Sequence, residues 1–197
     1  MTTLGALFDT YGSDKGSVPA RDGVEAHYYA DDYARLIPRD TPRLVELGVG
    51  CRVCDPHALE PMPWNGRAGS VRAWLEWLSE ASVVGVDYDR PPADLMAHPR
   101  FAFIQGDLRD PAFVEALPPR IRWASVIIDD ASHDSRDQWL ALKALWPCVA
   151  PDGLYVIEDA HLRLGPAPWP YDELPKDARF AGYLGRTQHG VVLRKRP

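Results

Sequence analysis

An α/β architecture built on a mostly parallel sheet is what the sequence predicts, and three features predict it. Short apolar runs recur along the chain with amphipathic stretches between them. The runs lack the apolar–polar alternation of a one-sided sheet, as strands covered on both faces should. Their ends are abrupt and acidic or glycine-rich: Leu47-Gly48-Val49-Gly50, Val86-Asp87, Ile128-Asp129-Asp130 and Ile157-Glu158-Asp159. In an open parallel sheet the carboxyl ends of the strands border one crevice, and ligands bind there.

Residues 1–40 are polar and aromatic and are expected to form a helix-containing cap before the sheet begins. Arg43–Leu47 reads as the first strand. Residues 51–68 hold Pro56, Pro61, Pro63 and Gly66 without a helical or alternating period, so they read as an inserted loop. Ser70 is placed to cap a helix reaching about Ala81, with Val71, Trp74, Leu75 and Leu78 on one face. Ser82–Val86 is the second strand and Phe101–Ile104 the third. Pro111–Leu117 reads as a short helix, Trp123–Ile128 as the fourth strand and Ser135–Trp146 as a helix. A turn at Pro151-Asp152-Gly153 leads into the fifth strand, Asp152–Ile157. Phe180–Leu184 and Val191–Arg194 flank Thr187-Gln188-His189-Gly190 and predict a closing antiparallel hairpin. The expectation is one domain over 1–197 with about seven strands, the last antiparallel.

A chain of 197 residues with 46% hydrophobic residues can bury a substantial core. Its net charge of −6 argues against nucleic-acid partners, which need clustered Lys and Arg. No apolar run approaches the roughly 20 residues of a membrane helix, and Met1-Thr2-Thr3-Leu4 lacks a charged region followed by a long apolar segment, so no signal peptide is expected. Three cysteines fit a reducing cytoplasm better than a disulfide framework.

The strand ends carry the chemistry. Asp129, Asp130, Glu158 and Asp159 would meet at one edge with His133 three residues past Asp130. Clustered hard oxygens beside an imidazole suit a divalent metal with a general base at its rim. The competing reading is that His133 caps or packs against the helix after it, and that Glu158-Asp159 caps a turn. At the other half of the sheet, Glu46 and the glycines Gly48 and Gly50 follow the first strand, where glycine allows a tight turn and close approach to a ligand. Asp87 stands where an acid takes ribose hydroxyls, and Asp107 where one meets an adenine amino group. A dinucleotide fingerprint would want a third glycine at the position Val53 occupies. A nucleoside cofactor without phosphates is therefore favoured.

The segments Val45–Gly50, Val84–Asp87, Gly106-Asp107 and Pro151–Leu154 resemble the successive motifs of class I S-adenosylmethionine-dependent methyltransferases, a Rossmann-like fold. Ser13-Asp14-Lys15-Gly16 with His27-Tyr28 and Tyr33, then Ile127–His133, then Tyr155–Asp159, resemble more narrowly the metal-dependent sugar O-methyltransferases of macrolide antibiotic biosynthesis, the mycinamicin and tylosin type. That resemblance implies Mg2+ on Asp130, Glu158 and Asp159, with His133 as base. It implies S-adenosylmethionine held by Glu46, Gly48, Gly50, Asp87 and Asp107, with Asp129 facing the cofactor's ammonium group or supporting the metal. The acceptor implied is a hydroxyl of a small natural product, a sugar or vicinal diol, and relatives of this kind often form homo-oligomers.

Other features stay open at this level. Cys51-x-x-Cys54-x-x-His57 has zinc-like spacing but lacks a fourth ligand. Tyr28, Tyr29, Tyr33 and Trp64 either line a pocket or pack the cap on the sheet. Asp14 and Lys15 are expected to pair with each other at the surface, and His161 either extends the substrate pocket or lies on a loop. Residues 162–178 hold four prolines, Pro166, Pro168, Pro170 and Pro175, which puts a large macrolide acceptor in question. The rivals to methyl transfer are an isomerase or cyclase that binds the same cofactor, and a non-catalytic cofactor-binding subunit.

Overall fold

The computed structural model describes residues 2–19, 25–50, 68–160, 173–186 and 188–197. Seven strands form one sheet in the order β3-β2-β1-β4-β5-β7-β6. They are β1 (Arg43–Leu47), β2 (Ser82–Asp87), β3 (Phe101–Gln105), β4 (Ala124–Asp129), β5 (Val149–Ile157), β6 (Ala178–Leu184) and β7 (Gly190–Lys195). The pairs β2–β3, β1–β2, β1–β4 and β4–β5 are parallel, and β7 is antiparallel to both β5 and β6. The strand order reverses between β1 and β4, the switch point at which open α/β sheets bind ligands.

Both faces are covered. On one, α1 (Leu4–Tyr11), α2 (Ala30–Leu36) and α3 (Gly69–Trp77) pack Phe8, Tyr33, Trp74 and Leu78 over Leu44, Ile128 and Val156. On the other, α5 (Pro111–Ala116) and α7 (Ser135–Leu145), with the single turn α6 (Pro118–Ile121), cover Val45, Leu47, Ile127, Tyr155 and Ile157. A further single turn, α4 (Ala93–Met96), precedes β3. The helices start where side chains satisfy orphan amides: Thr3 accepts from Ala6 N at 3.2 Å, Asp110 from Ala112 N at 3.0 Å and Asp134 from Arg136 N at 2.8 Å.

The expected elements are present, most with ends within two residues of expectation, and three boundaries change the local structure. The helix from Ser70 stops at Trp77, short of Ala81, because Arg100 draws in the carbonyls of Leu75, Leu78 and Ala81 at 2.5, 2.6 and 3.0 Å. Trp123 lies before β4 with a positive φ of 63° and 65% exposure. The fifth strand begins at Val149, earlier than Asp152, and Pro151-Asp152-Gly153 is absorbed as a bulge: Ala124 pairs with Val149 but Val126 with Leu154. The cap does contain helices, α1 and α2. The 51–68 loop with its cysteines, His57 and Trp64, together with His161 and most of the proline-rich stretch, falls outside the described residues, apart from Ala68 and 173–178. Among the described residues no helix is long and apolar enough to cross a membrane.

Candidate active site at the carboxyl ends of β1, β4 and β5

The register levels the strand ends. Leu47 pairs with Asp129 and Asp129 with Ile157, so Gly48, Asp130 and Glu158 emerge side by side. Asp130 N donates to Leu47 O at 2.8 Å, Glu158 N to Asp129 O at 2.9 Å and Gly48 N to Val86 O at 2.8 Å. Gly48 is needed there: with φ +76°, a Cβ on it would lie 2.2 Å from the Asp130 carbonyl oxygen. Gly50, at φ +65°, differs, because its Cβ would meet nothing within 4 Å among the described residues. That position leaves room beside β1 that a side chain would fill.

Strand alternation divides the acids between two faces. Glu46, Asp130 and Glu158 share the face covered by the N-terminal cap, with Leu44, Ile128 and Val156. Asp129 faces the other way and accepts from the Tyr155 hydroxyl at 3.2 Å. Burial raises Asp129 to about 7, against that hydrogen bond. Asp129 thus points away from the cap-side acids.

Asp130, His133 and Asp159 converge, offering ligand atoms all within 4.8 Å of one another. His133 Nε2 lies 3.0 Å from Asp130 Oδ1 and 3.6 Å from Asp159 Oδ2. His133 does not cap α7, since Asp134 does. Both His133 (φ 56°) and Asp159 (φ 46°) hold left-handed backbone, an uphill conformation for residues with side chains that concentrates at functional sites. Burial pulls His133 down, but the hydrogen bond and charge of Asp130, then the charge of Asp159, outweigh it and raise the imidazole to about 9.

Glu158 stands beside this trio but turns toward the cap: Oε1 accepts from the Tyr33 hydroxyl and Oε2 from Lys15 Nζ at 2.7 Å. Lys15 also donates to Asp130 Oδ2 and lies 3.8 Å from Glu46 Oε1. The expected surface pair of Asp14 with Lys15 is thus replaced by a buried ammonium, 1% exposed, among three carboxylates. Burial alone would lower Lys15, yet Asp130, Glu158 and Glu46 hold it well above its usual value and so protonated. Of the two acids it touches, Asp130 stays charged, held below the carboxylate range against burial by Lys15 and His133. Glu158 is pushed well up, by burial first and the Asp130 charge second. Nothing in the sequence near Lys15 announces this. The available signal was the surplus of acids at strand ends, which inside a fold demand a cation.

The remaining predicted residues lie on β1 and at the ends of β2 and β3. Asp87 accepts Val49 N at Oδ2 and Asp89 N at Oδ1, both at 3.0 Å, so its carboxylate is fixed at the β2 end. Asp107 is half-buried, and Arg109 engages both of its oxygens at 2.8–2.9 Å. Glu46 is fully buried, and burial raises it to about 7 against the pull of Lys15. Of the four tyrosine and tryptophan candidates, Tyr29 and Tyr33 pack the cap, edge-on to each other at 6.3 Å, while Tyr28 is half exposed under Arg186.

The donor set fits a hard divalent cation, with carboxylate oxygens from two strand ends and one imidazole at the edge. The glycine cradle beside Asp87 fits a nucleoside.

No family model matches the chain. It is similar to the 8-demethyl-8-alpha-L-rhamnosyl tetracenomycin-C 2'-O-methyltransferase of Streptomyces olivaceus, 32% identical over 192 residues, covering 95% of this chain and 45% of that protein. It is 33% identical to the mycinamicin VI 2''-O-methyltransferase of Micromonospora griseorubida over 68% of this chain and 30% of the relative. The demethylmacrocin O-methyltransferase of Streptomyces fradiae is 32% identical over 73% of this chain and 32% of its own length. The chain therefore spans less than half the length of these relatives. Among solved structures, the MycE methyltransferase of the mycinamycin pathway, in complex with Mg, SAH and mycinamycin VI, superposes with a TM-score of 0.73 at 23% identity, over all of this chain and 54% of its own. That likeness is one of fold.

Proposed function

Because this chain is a relative of the mycinamicin- and tetracenomycin-type sugar O-methyltransferases and has the class I S-adenosylmethionine-dependent methyltransferase fold, we propose that it methylates a hydroxyl of a small natural product, a sugar or vicinal diol, using S-adenosylmethionine and Mg2+. The observation that carries this reading is the meeting of Asp130, Asp159 and His133 at the strand ends next to the Gly48–Gly50 turn and Asp87. Glu46, Gly48, Gly50, Asp87 and Asp107 would hold the cofactor. Asp130, Asp159 and Glu158 would hold the ion, and Asp129 would brace them from behind. With no broad basic surface suggested by the net charge of −6, a nucleic-acid acceptor is disfavoured, and the reading is of a cytoplasmic biosynthetic enzyme.

An alcohol is a poor nucleophile at neutral pH, so its proton has to leave as the oxygen attacks. His133 Nε2 is the group placed to take that proton. To do so the imidazole must be neutral, whereas the carboxylates around it raise it to about 9. When bound, the ion supplies the charge that draws those carboxylates and orients the acceptor oxygens, and the cofactor supplies a methyl on a positive sulfur that departs neutral. Asp130 and Asp159 contact that same Nε2 at 3.0 and 3.6 Å, so the nitrogen would be free to accept a proton only with those carboxylates engaged by the ion. Gly50 keeps the approach open, and the Asp87 carboxylate, fixed by two backbone amides, is preorganised for two ribose hydroxyls.

The test is product mass from incubation with S-adenosylmethionine and a panel of glycosylated acceptors, which gains one methyl group if the reading holds. Chelation should stop turnover and added Mg2+ restore it. His133→Ala should abolish turnover and leave S-adenosylhomocysteine affinity nearly unchanged; an equal loss of both would refute the base assignment.

A further inference from the structure

Of the carboxylates assigned to the ion, Asp130 and Asp159 each turn one oxygen toward His133 and have the other held by the N-terminal segment, which holds both oxygens of Glu158. Asp159 presents Oδ2 toward His133, while its Oδ1 accepts from the Tyr29 hydroxyl at 2.7 Å. Asp130 presents Oδ1, while its Oδ2 accepts from Lys15. Glu158 accepts from Tyr33 on one oxygen and Lys15 on the other. A carboxylate offers about four lone-pair positions, so these bonds leave each acid able to bind a cation as well.

The three donors are themselves rigidly placed. Tyr29 N and Ala30 N both donate to Lys15 O at 3.1 Å, and Tyr28 N to Gly16 O at 3.1 Å, which braces residues 15–16 against 28–30. The Tyr33 ring is edge-on to Trp74 at 5.1 Å, and Phe8 packs against both Tyr33 and Trp74. Lys15, Tyr29 and Tyr33 are each at most 1% exposed. Groups this fixed transmit their geometry to the carboxylates they bond, and outer partners of that kind tune metal sites through the ligands.

We propose that Lys15, Tyr29 and Tyr33 of the N-terminal segment are positioning residues of the cation site, an outer shell that locks the far oxygens of Asp130 and Asp159 so that the near ones face the ion, and that fixes Glu158 beside them. This rests on the metal-dependent reading above. It gives the segment a function beyond covering the sheet, and it makes ion affinity depend on three side chains that need not touch the ion.

The probe is Mn2+ alone, titrated into the full chain and followed by the electron paramagnetic resonance signal of the free ion. Tyr29→Phe removes one hydroxyl and keeps the ring. It should weaken Mn2+ by about 10- to 100-fold, and Tyr33→Phe should weaken it in the same direction. Phe8→Leu serves as the control, since it loosens the same packing without touching an acid; its Mn2+ affinity should stay within about threefold of the parent even where its melting temperature falls as far as that of Tyr29→Phe. Equal weakening in Phe8→Leu and Tyr29→Phe, or unchanged affinity in Tyr29→Phe, would overturn the proposal. If the parent protein binds no Mn2+, the metal-dependent reading falls and this inference with it. If the parent binds and Asp159→Asn does not, while Tyr29→Phe is unaffected, only the outer-shell assignment falls.

Discussion

Gly48 and Gly50 are two residues apart, both in left-handed backbone, and substituting each by alanine should have opposite kinds of consequence. The dihedral cost is similar, about 1–2 kcal/mol for a side-chain-bearing residue in that region. The steric cost is not. At Gly48 the new methyl would stand 2.2 Å from the Asp130 carbonyl oxygen and 2.7 Å from Ala131 Cα, and neither is a flexible side chain that can swing aside. Relief requires β1 and β4 to part at their ends, which strains the 2.8 Å bond from Asp130 N to Leu47 O and the placement of Asp130 with it. Summed, Gly48→Ala should cost on the order of 4 kcal/mol, a large fraction of the 5–15 kcal/mol that holds an ordinary domain together. At Gly50 nothing lies within 4 Å of the methyl among the described residues, so the dihedral cost of about 1–2 kcal/mol stands alone. The methyl does, however, occupy the room assigned to the cofactor. Urea unfolding followed by tryptophan fluorescence measures the first quantity, and calorimetric titration with S-adenosylhomocysteine the second. Gly48→Ala should be the unstable variant and Gly50→Ala the folded one that binds cofactor poorly. A Gly48→Ala midpoint no lower than that of Gly50→Ala would refute the close-approach argument, and undiminished cofactor binding by Gly50→Ala would refute the cradle.

Two further outcomes follow from the packing around the site. Asp129 is raised by burial to about 7 from 3.8, so the folded chain keeps a proton that the unfolded chain releases. Its contribution is therefore lost as pH rises from about 4 to 7, by up to about 4 kcal/mol. Asp129→Asn, which keeps the shape and an acceptor for Tyr155, should gain stability over the parent on going from pH 5 to pH 8 in urea unfolding; parallel curves would contradict the assignment. Arg100→Met should destabilise by about 2–3 kcal/mol, because three carbonyls at the end of α3 lose a charged donor. An unchanged urea midpoint would show that those bonds contribute nothing.

The sheet was legible because its strands are buried on both faces and so appear as apolar runs, and because each run ends in a residue that cannot continue a buried strand. The levelled ends of β1, β4 and β5 followed from that pattern, and with them the neighbourhood of Asp130, His133 and Asp159. What the runs could not convey is which way each acid turns. Asp129 and Asp130 are consecutive, and alternation sends one to Tyr155 and the other to Lys15. The bulge at Pro151-Asp152-Gly153 was hidden for a related reason: proline, aspartate and glycine together read as a turn, yet pairing resumes across them because both ends of the bulge stay in the ladder. Lys15 was illegible in a stronger sense. Its neighbours Ser13, Asp14 and Gly16 are those of a surface loop, and only tertiary contact with residues more than a hundred positions away buries it.

That burial bears on what the fold is for. One cap-side face gathers Glu46, Asp130 and Glu158, with Asp159 at its rim, and Lys15 is the ammonium that reaches three of them. The cost of burying these acids is visible: Glu46 is raised to about 7 and Glu158 is pushed well up. Such groups destabilise a fold unless a ligand offsets them. A protein selected for stability alone would do better with apolar residues at these strand ends. On the proposed function, the cluster would be half of a charge balance whose other half arrives from outside, a divalent ion at Asp130 and Asp159 and a cationic cofactor beside Glu46. On that account, loading with Mn2+ and S-adenosylmethionine together should raise the unfolding temperature by more than the sum of the shifts each gives alone. If the two shifts merely add, the acids act as separate sites and the shared-balance argument is wrong.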